Sequence, residues 1–209
     1  MSEGSSSPEQ PSTGLRSFIE RAKEIRNIRQ RGIKDAVLRA AREQEQKKSQ
    51  IDSLTKLANR EGYKTRLNQE AARMKRTGVK STLMILDLDK FKDINDTHGH
   101  PVGDEYLKKT ADILRNSLRE YDFAARLGGD EFVLILPGTD EKSVWQIWDR
   151  IKPQAENNGV KISAGADLID PYDLQGTYER VDKALYGAKN DEHRGESHLA
   201  VSQPVPING

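Results

Sequence analysis

Two acidic pairs stand where this chain changes character, and their residue types limit the chemistry it can perform. Asp87 and Asp89 follow a short apolar run, Thr82-Leu83-Met84-Ile85-Leu86, and Asp130 and Glu131 follow Gly128-Gly129. The run reads as a buried central strand. The two glycines read as the turn between strands at 123–127 and 132–136. Two residues apart at a strand end, Asp87 and Asp89 share a face. Oxygen donors gathered in a chain with no cysteine suit Mg²⁺, with Mn²⁺ as the alternative, rather than zinc. Held on adjacent strands, such carboxylates can set a divalent cation against a triphosphate, where it offsets developing charge and activates a hydroxyl. Each pair also has a plain structural reading, since aspartate is common after strands and Gly-Gly-Asp makes a tight hairpin whatever its use.

The elements that must position these groups are legible around them. An amphipathic helix is expected over 60–76, closed by Gly78, with further helices over 102–118, 143–156 and 177–189 and a strand over 160–166. Trp145 and Trp148, three apart, are expected to pack in the core or an interface. Residues 1–14 have no apolar periodicity and read as a disordered tail, and 199–209 as a loose one. Residues 15–51 carry a heptad-like pattern (Leu15, Phe18, Ala22, Ile25, then Ile33, Val37, Ala40, then Ile51), interrupted by a stutter and by polar Gln44 and Lys47. They predict a long helix that pairs two chains as a coiled coil.

Composition narrows the class. With 34 Lys and Arg against 33 Asp and Glu, the net charge is +1, which supplies no basic field for a nucleic-acid backbone. No apolar run approaches a membrane span, and MSEGSSSPEQPSTG lacks the apolar core of a signal peptide. The expectation is a cytoplasmic protein without a nucleic-acid or membrane partner.

Taken together, the motifs say more than either pair alone. Asp87-Leu88-Asp89-Lys90-Phe91-Lys92-Asp93-Ile94-Asn95-Asp96 continues as Thr97-His98-Gly99-His100-Pro101-Val102-Gly103-Asp104. Arg126-Leu127-Gly128-Gly129-Asp130-Glu131-Phe132, Ser163-Ala164-Gly165 and Asp182-Lys183-Ala184-Leu185-Tyr186-Gly187-Ala188-Lys189 follow in order. This succession, over residues 52–190, resembles the GGDEF family of diguanylate cyclases, and the domain is set at 52–198. The resemblance implies an α+β, palm-like nucleotidyl cyclase fold, a central mainly antiparallel sheet flanked by helices. It implies a reaction in which two GTP molecules on facing domains condense to cyclic di-GMP and two pyrophosphates.

The same resemblance assigns roles by position. Asp87, the Leu88 carbonyl and Asp130 match metal ligands, and Asp130 the base for the 3′-hydroxyl, with Glu131 beside it in the catalytic pair. Gly128 and Gly129 match the backbone that approaches ribose and α-phosphate, Phe91 and Lys92 the loop over the β- and γ-phosphates, and Lys189 a second phosphate-contacting lysine. Asn95 and Asp104 match the pair that reads guanine, with His100 in the same pocket. A carboxylate accepts from guanine N1–H and N2–H₂, which adenine cannot supply, so GTP is favoured over ATP. Arg119 and Asp122 match an R-x-x-D site at which cyclic di-GMP binds as inhibitor, a use suited to bidentate arginine.

The chain departs from the family at three places. Lys56 and Ala58 stand where glycine and proline are usual, Asn190-Asp191-Glu192-His193-Arg194 replaces a usual glycine and arginine, and the stretch from Phe132 to Ser163 is short.

Overall fold

The computed structural model describes residues 20, 21, 23, 26, 29–34, 37, 38, 50–190 and 197–202. Two compact units result, residues 1–48 and 49–209. The tail expected at 1–14 and most of the heptad positions lie outside the described residues. Those described between Glu20 and Leu38 are helical, and Ile33 and Val37, one turn apart, are 66% and 63% exposed. No helix among the described residues is long and apolar enough to cross a membrane.

The second unit runs α1 (Arg60–Thr77), β1 (Ser81–Leu88), α2 (Phe91–His98), α3 (His100–Ser117), β2 (Phe123–Gly128), β3 (Glu131–Pro137), α4 (Ser143–Asn157), β4 (Ile162–Leu168), α5 (Leu174–Asn190) and β5 (His198–Val201). Its strands form one sheet in the order β2-β3-β1-β4-β5. Every pairing is antiparallel except β4 with β5. The α+β fold expected from the motifs is therefore present, with β1 at the centre.

Alternation along the strands makes two cores. Met84, Leu86 and Leu88 pack with Phe132 and Leu134 beneath α3 and α4. Leu83 and Ile85 pack with Val133 and Ile135 on the opposite face, against Tyr63 and Leu67 of α1 and Val181 and Leu185 of α5. With both faces covered, β1 reads as a continuous apolar run. Trp148 is buried in the first core, while Trp145 stays partly exposed.

Helix α1 starts on Asn59, whose side chain accepts from the backbone N–H of Glu61 and Gly62, and ends on Gly78 in the left-handed region. Helix α5 is pressed onto β4 at Gly165, where an added Cβ would lie 2.3 Å from the Val181 carbonyl and 2.4 Å from the Leu185 nitrogen. No side chain fits there, and that contact brings the C-terminal half of α5 down onto the end of β1.

Two expectations need correction. Phe91 and Lys92 do not lie in a loop: they form the first turn of α2, which begins straight after the β1 end. Phe91, Ile94 and Asn95 are its half-buried residues, and only two of them are apolar, too few to show a period. Nor are residues 199–201, the first of the expected loose tail, outside the sheet. Leu199 is 2% exposed and pairs with Ala164 in the parallel edge strand β5, a four-residue element too short to announce itself by alternation.

The lead-in turn shows what the departure at Lys56 does. Asp52 closes it, accepting from the backbone N–H and hydroxyl of Thr55 at 2.8 and 2.6 Å. Lys56 takes φ 59°, in the left-handed region, where a Cβ costs about 1–2 kcal/mol. Glycine would remove that strain at an entropic cost of about 0.5–1 kcal/mol. Lys56→Gly is therefore expected to raise stability by roughly 0.5–1 kcal/mol, read as a higher urea midpoint with an unchanged slope.

Candidate functional site

The site is built where β1 ends beside the β2–β3 turn. Asp87 pairs in register with Glu131 of β3 on one side and Ser163 of β4 on the other. The Leu88 N–H donates to the Asp130 carbonyl at 3.4 Å. Asp87, Asp89 and Glu131 lie on the face covered by α1 and α5. Lys189, in the last turn of α5, reaches Asp87 Oδ1 with its ammonium at 2.7 Å, and Ser163 Oγ donates to Asp89 Oδ1 at 2.8 Å.

Burial pushes the Asp87 carboxyl above its ordinary range, and the charges of Asp130 and Asp89 push the same way against the opposing Lys189 ammonium. Asp89 is likewise raised by burial, opposed by its Ser163 hydrogen bond. Negative charge is thus concentrated where little water can dissipate it, and one cation of the protein's own already sits on it. Among the described residues no three acidic or histidine groups gather as a complete cage. Two carboxylates with ligand places to spare are what Mg²⁺ accepts, since it commonly binds through one or two carboxylates and completes its shell with water and phosphate oxygens. The donor set fits such an ion.

The turn carrying Asp130 depends on its glycines. Gly128 and Gly129 have φ 147° and 52°, and the β2–β3 register shifts between Arg126 and Gly128, which marks a bulge. A Cβ on either glycine would meet nothing within 4 Å, so the outer side of the turn is open to a ligand. Three contacts brace its inner side. Arg126 donates to the Gly129 carbonyl through Nε at 2.9 Å and Nη2 at 2.8 Å. Its Nη1 faces Asp52 at 3.3 Å, and Arg60 Nε donates to the Leu127 carbonyl at 3.2 Å. Glu131 is engaged at both oxygens, by the Tyr178 hydroxyl at 2.8 Å and by Arg60 at 3.8 Å.

The residues expected to read the base meet at the α2–α3 junction. Gly99 bends the chain there with φ 83°. Gly103 lets α2 lie against α3, for a Cβ would come 2.0 Å from Asn95 Oδ1 and 3.3 Å from Phe91 Cζ. Asn95 thus rests beside the residue preceding Asp104, and Asp104 and His100 stand exposed one turn apart on α3. Lys92 is exposed at the start of α2.

Arg119 and Asp122 lie apart from this cluster, at the other end of β2, about 17 Å away at 3.3 Å per strand residue. Asp122 accepts from its partner's backbone N–H at 2.9 Å, and the Arg119 guanidinium donates to the Tyr121 hydroxyl at 3.1 Å. The other Asp122 oxygen is buried without a partner, and burial raises this carboxyl against the pull of Arg119. A groove of about 420 Å³ opens alongside, lined by Arg66, Arg73, Arg119 and Tyr121.

The family model for the diguanylate cyclase GGDEF domain matches residues 49–195. The chain belongs to the GGDEF family. Diguanylate cyclase DgcP of Pseudomonas aeruginosa is 40% identical over 170 residues, covering 77% of this chain and 25% of that protein. DgcS of Shewanella oneidensis is 39% identical over 146 residues, covering 66% and 49%. The chain therefore spans between a quarter and a half of these curated relatives. Among solved GGDEF structures, diguanylate cyclase SiaD in complex with its activator SiaC, from Pseudomonas aeruginosa, superposes with a TM-score of 0.67 at 30% identity, covering 90% of this chain and 76% of that one. The coiled coil and GGDEF domain of DgcB from Caulobacter crescentus, in complex with c-di-GMP, gives a TM-score of 0.69 at 25% identity, covering 91% of this chain and 100% of that one.

Arg60, Arg126 and Tyr178 escaped the sequence reading of this GGDEF chain. In sequence Arg126 is only a flank of the glycines, and Tyr178 lies 47 residues from the glutamate it binds, with no motif of its own to betray it.

A raised carboxyl has a definite sign. Ionised Asp87 is less favourable in the fold than in the unfolded chain, so it subtracts stability at neutral pH, and the deficit vanishes below the ordinary aspartate range near pH ~4. Asp87→Asn is expected to melt higher than the parent at pH 7 without added metal. The difference should close on acidification through that range, in thermal melts at the two pH values.

Proposed function

We propose that this chain is a diguanylate cyclase that condenses two GTP into cyclic di-GMP and two pyrophosphates. The observation that carries the reading is the meeting of Asp87 with the glycine turn bearing Asp130, next to the α2–α3 junction that holds Asn95 beside Gly103. Each subunit holds one nucleotide. Asn95 and Asp104 engage the guanine edge, with His100 in the same pocket. The open turn at Gly128 and Gly129 receives ribose and α-phosphate. Phe91 and Lys92, at the N-terminus of α2, receive the β- and γ-phosphates on free backbone N–H groups and a point charge, and Lys189 shares that charge between Asp87 and phosphate.

Asp87, the Leu88 carbonyl and Asp130 are the groups that would hold Mg²⁺ or Mn²⁺. When bound, the ion offsets charge on the triphosphate and lowers the pKa of the attacking hydroxyl. Asp130 takes the 3′-hydroxyl proton as that oxygen bonds to the α-phosphorus of the facing nucleotide, and the α–β bridging oxygen departs with pyrophosphate. A second turn of the same chemistry closes the ring.

Because each subunit supplies half of a site, two must face each other. The exposed Ile33 and Val37 on the N-terminal helix support pairing through that helix, which would raise the partner's local concentration to the order of mM. The groove lined by Arg66, Arg73, Arg119 and Tyr121 supports cyclic di-GMP binding there as product inhibitor. A cytoplasmic setting supplies GTP to such an enzyme.

Incubation with Mg²⁺ and GTP, ATP or both, followed by chromatography and mass analysis, should give cyclic di-GMP alone and only where GTP is present; a mixed dinucleotide would overturn the specificity. Asp130→Ala should cut turnover by roughly a hundredfold or more yet keep product binding, while Arg119→Ala should keep turnover and lose inhibition. Deleting residues 1–48 should lower specific activity at low protein concentration and spare it at high; indifference to dilution would remove the helix from the assembly.

A further inference from the structure

We propose that Tyr178 is a positioning residue that holds Glu131 out of the metal set, leaving Asp87 and Asp130 as its carboxylates. The proposal deepens the cyclase reading and rests on it for the identity of the metal site. Its ground is geometric. Glu131 is the direct cross-strand partner of Asp87, on the same face, so their Cβ atoms are separated by about 5 Å and the longer glutamate side chain can reach whatever Asp87 holds. It does not turn that way. One oxygen accepts the Tyr178 hydroxyl at 2.8 Å and the other faces Arg60 at 3.8 Å, and Tyr63 borders the same carboxylate.

Tyr178 is well placed to hold it. It packs against the second core from α5, and α5 is fixed in height by the Gly165 contact. Burial and the Glu131 carboxylate both hold the Tyr178 hydroxyl well above its ordinary range, so it remains a donor throughout the physiological range. Arg60, 55% exposed at a longer distance, is the weaker of the two holds. Drawn toward α1 and α5, Glu131 braces the first residue of β3 beneath the turn, and its charge stays off the ion. A third carboxylate on the ion would withdraw Lewis acidity from the hydroxyl and fill a place meant for phosphate oxygen.

The test uses Tyr178→Phe, Glu131→Gln and the double variant in the full chain, after circular dichroism shows that each folds. Mn²⁺ affinity is measured by electron paramagnetic resonance with the metal alone and with a non-reactive GTP analogue, and kcat and KM for GTP are measured in parallel. Freed from the hydroxyl, Glu131 is expected to join the ion, so Tyr178→Phe should tighten Mn²⁺ binding by about tenfold while kcat falls by about tenfold with KM unchanged. Glu131→Gln, whose amide oxygen still accepts from Tyr178, should leave Mn²⁺ affinity at the parent value, and the double variant should return to it. Unchanged Mn²⁺ affinity in Tyr178→Phe overturns the proposal, as does weaker binding in Glu131→Gln, which would make the glutamate a ligand already. A parent protein that binds Mn²⁺ but makes no cyclic di-GMP would sink the cyclase reading and leave this measurement standing.

Discussion

The burial of a carboxylate at the end of the central strand, with other acids beside it, is the constraint around which this domain is built. Asp87 is raised by burial, and its acidic neighbours add to the effect. Such an arrangement does not persist unless the surroundings over-determine it. The over-determination comes from position: β1 is hydrogen-bonded on both edges and apolar on both faces, so its end cannot drift to relieve the charge. What the fold loses in stability there leaves a negative potential that a cation would offset.

The helices serve that point from two sides. Helix α5 descends onto β4 at Gly165 and so delivers both Lys189 to Asp87 and Tyr178 to Glu131. Helices α2 and α3 are folded together at Gly103, which lies against Asn95 and Phe91, with no charged group buried between them. Glycine recurs at these places for a common reason. Where two backbones must come within a few ångströms, or the chain must turn through a positive φ, a side chain is the obstacle.

Much of this was legible in the residues and some was not. The apolar run at 82–86 identified the central strand because burial on both faces leaves a continuous signature. The glycine turn was equally plain. The α2 helix was hidden because it has only two apolar residues and a charged remainder, and β5 because four residues cannot show a period. The second ring of contacts was invisible for a different reason: Arg60, Arg126 and Tyr178 meet partners across 67, 74 and 47 positions of chain, and only the folded sheet brings them together. Lys56 is the converse case. Its departure from the usual glycine was visible, and the structure shows that the bend was kept and the strain accepted.

The lead-in turn and the catalytic turn are joined by rigid links. The Ala58 carbonyl accepts from the Arg126 N–H at 2.8 Å, and the same arginine spans from Asp52 to the Gly129 carbonyl. One guanidinium therefore acts as a strut between the segment by which the chain enters the domain and the glycine turn that carries Asp130. A twist applied upstream of residue 50 arrives at that turn with little slack to absorb it. In mechanical terms, the domain carries a short lever whose fulcrum is Asp52 and whose far end is the Gly129 carbonyl.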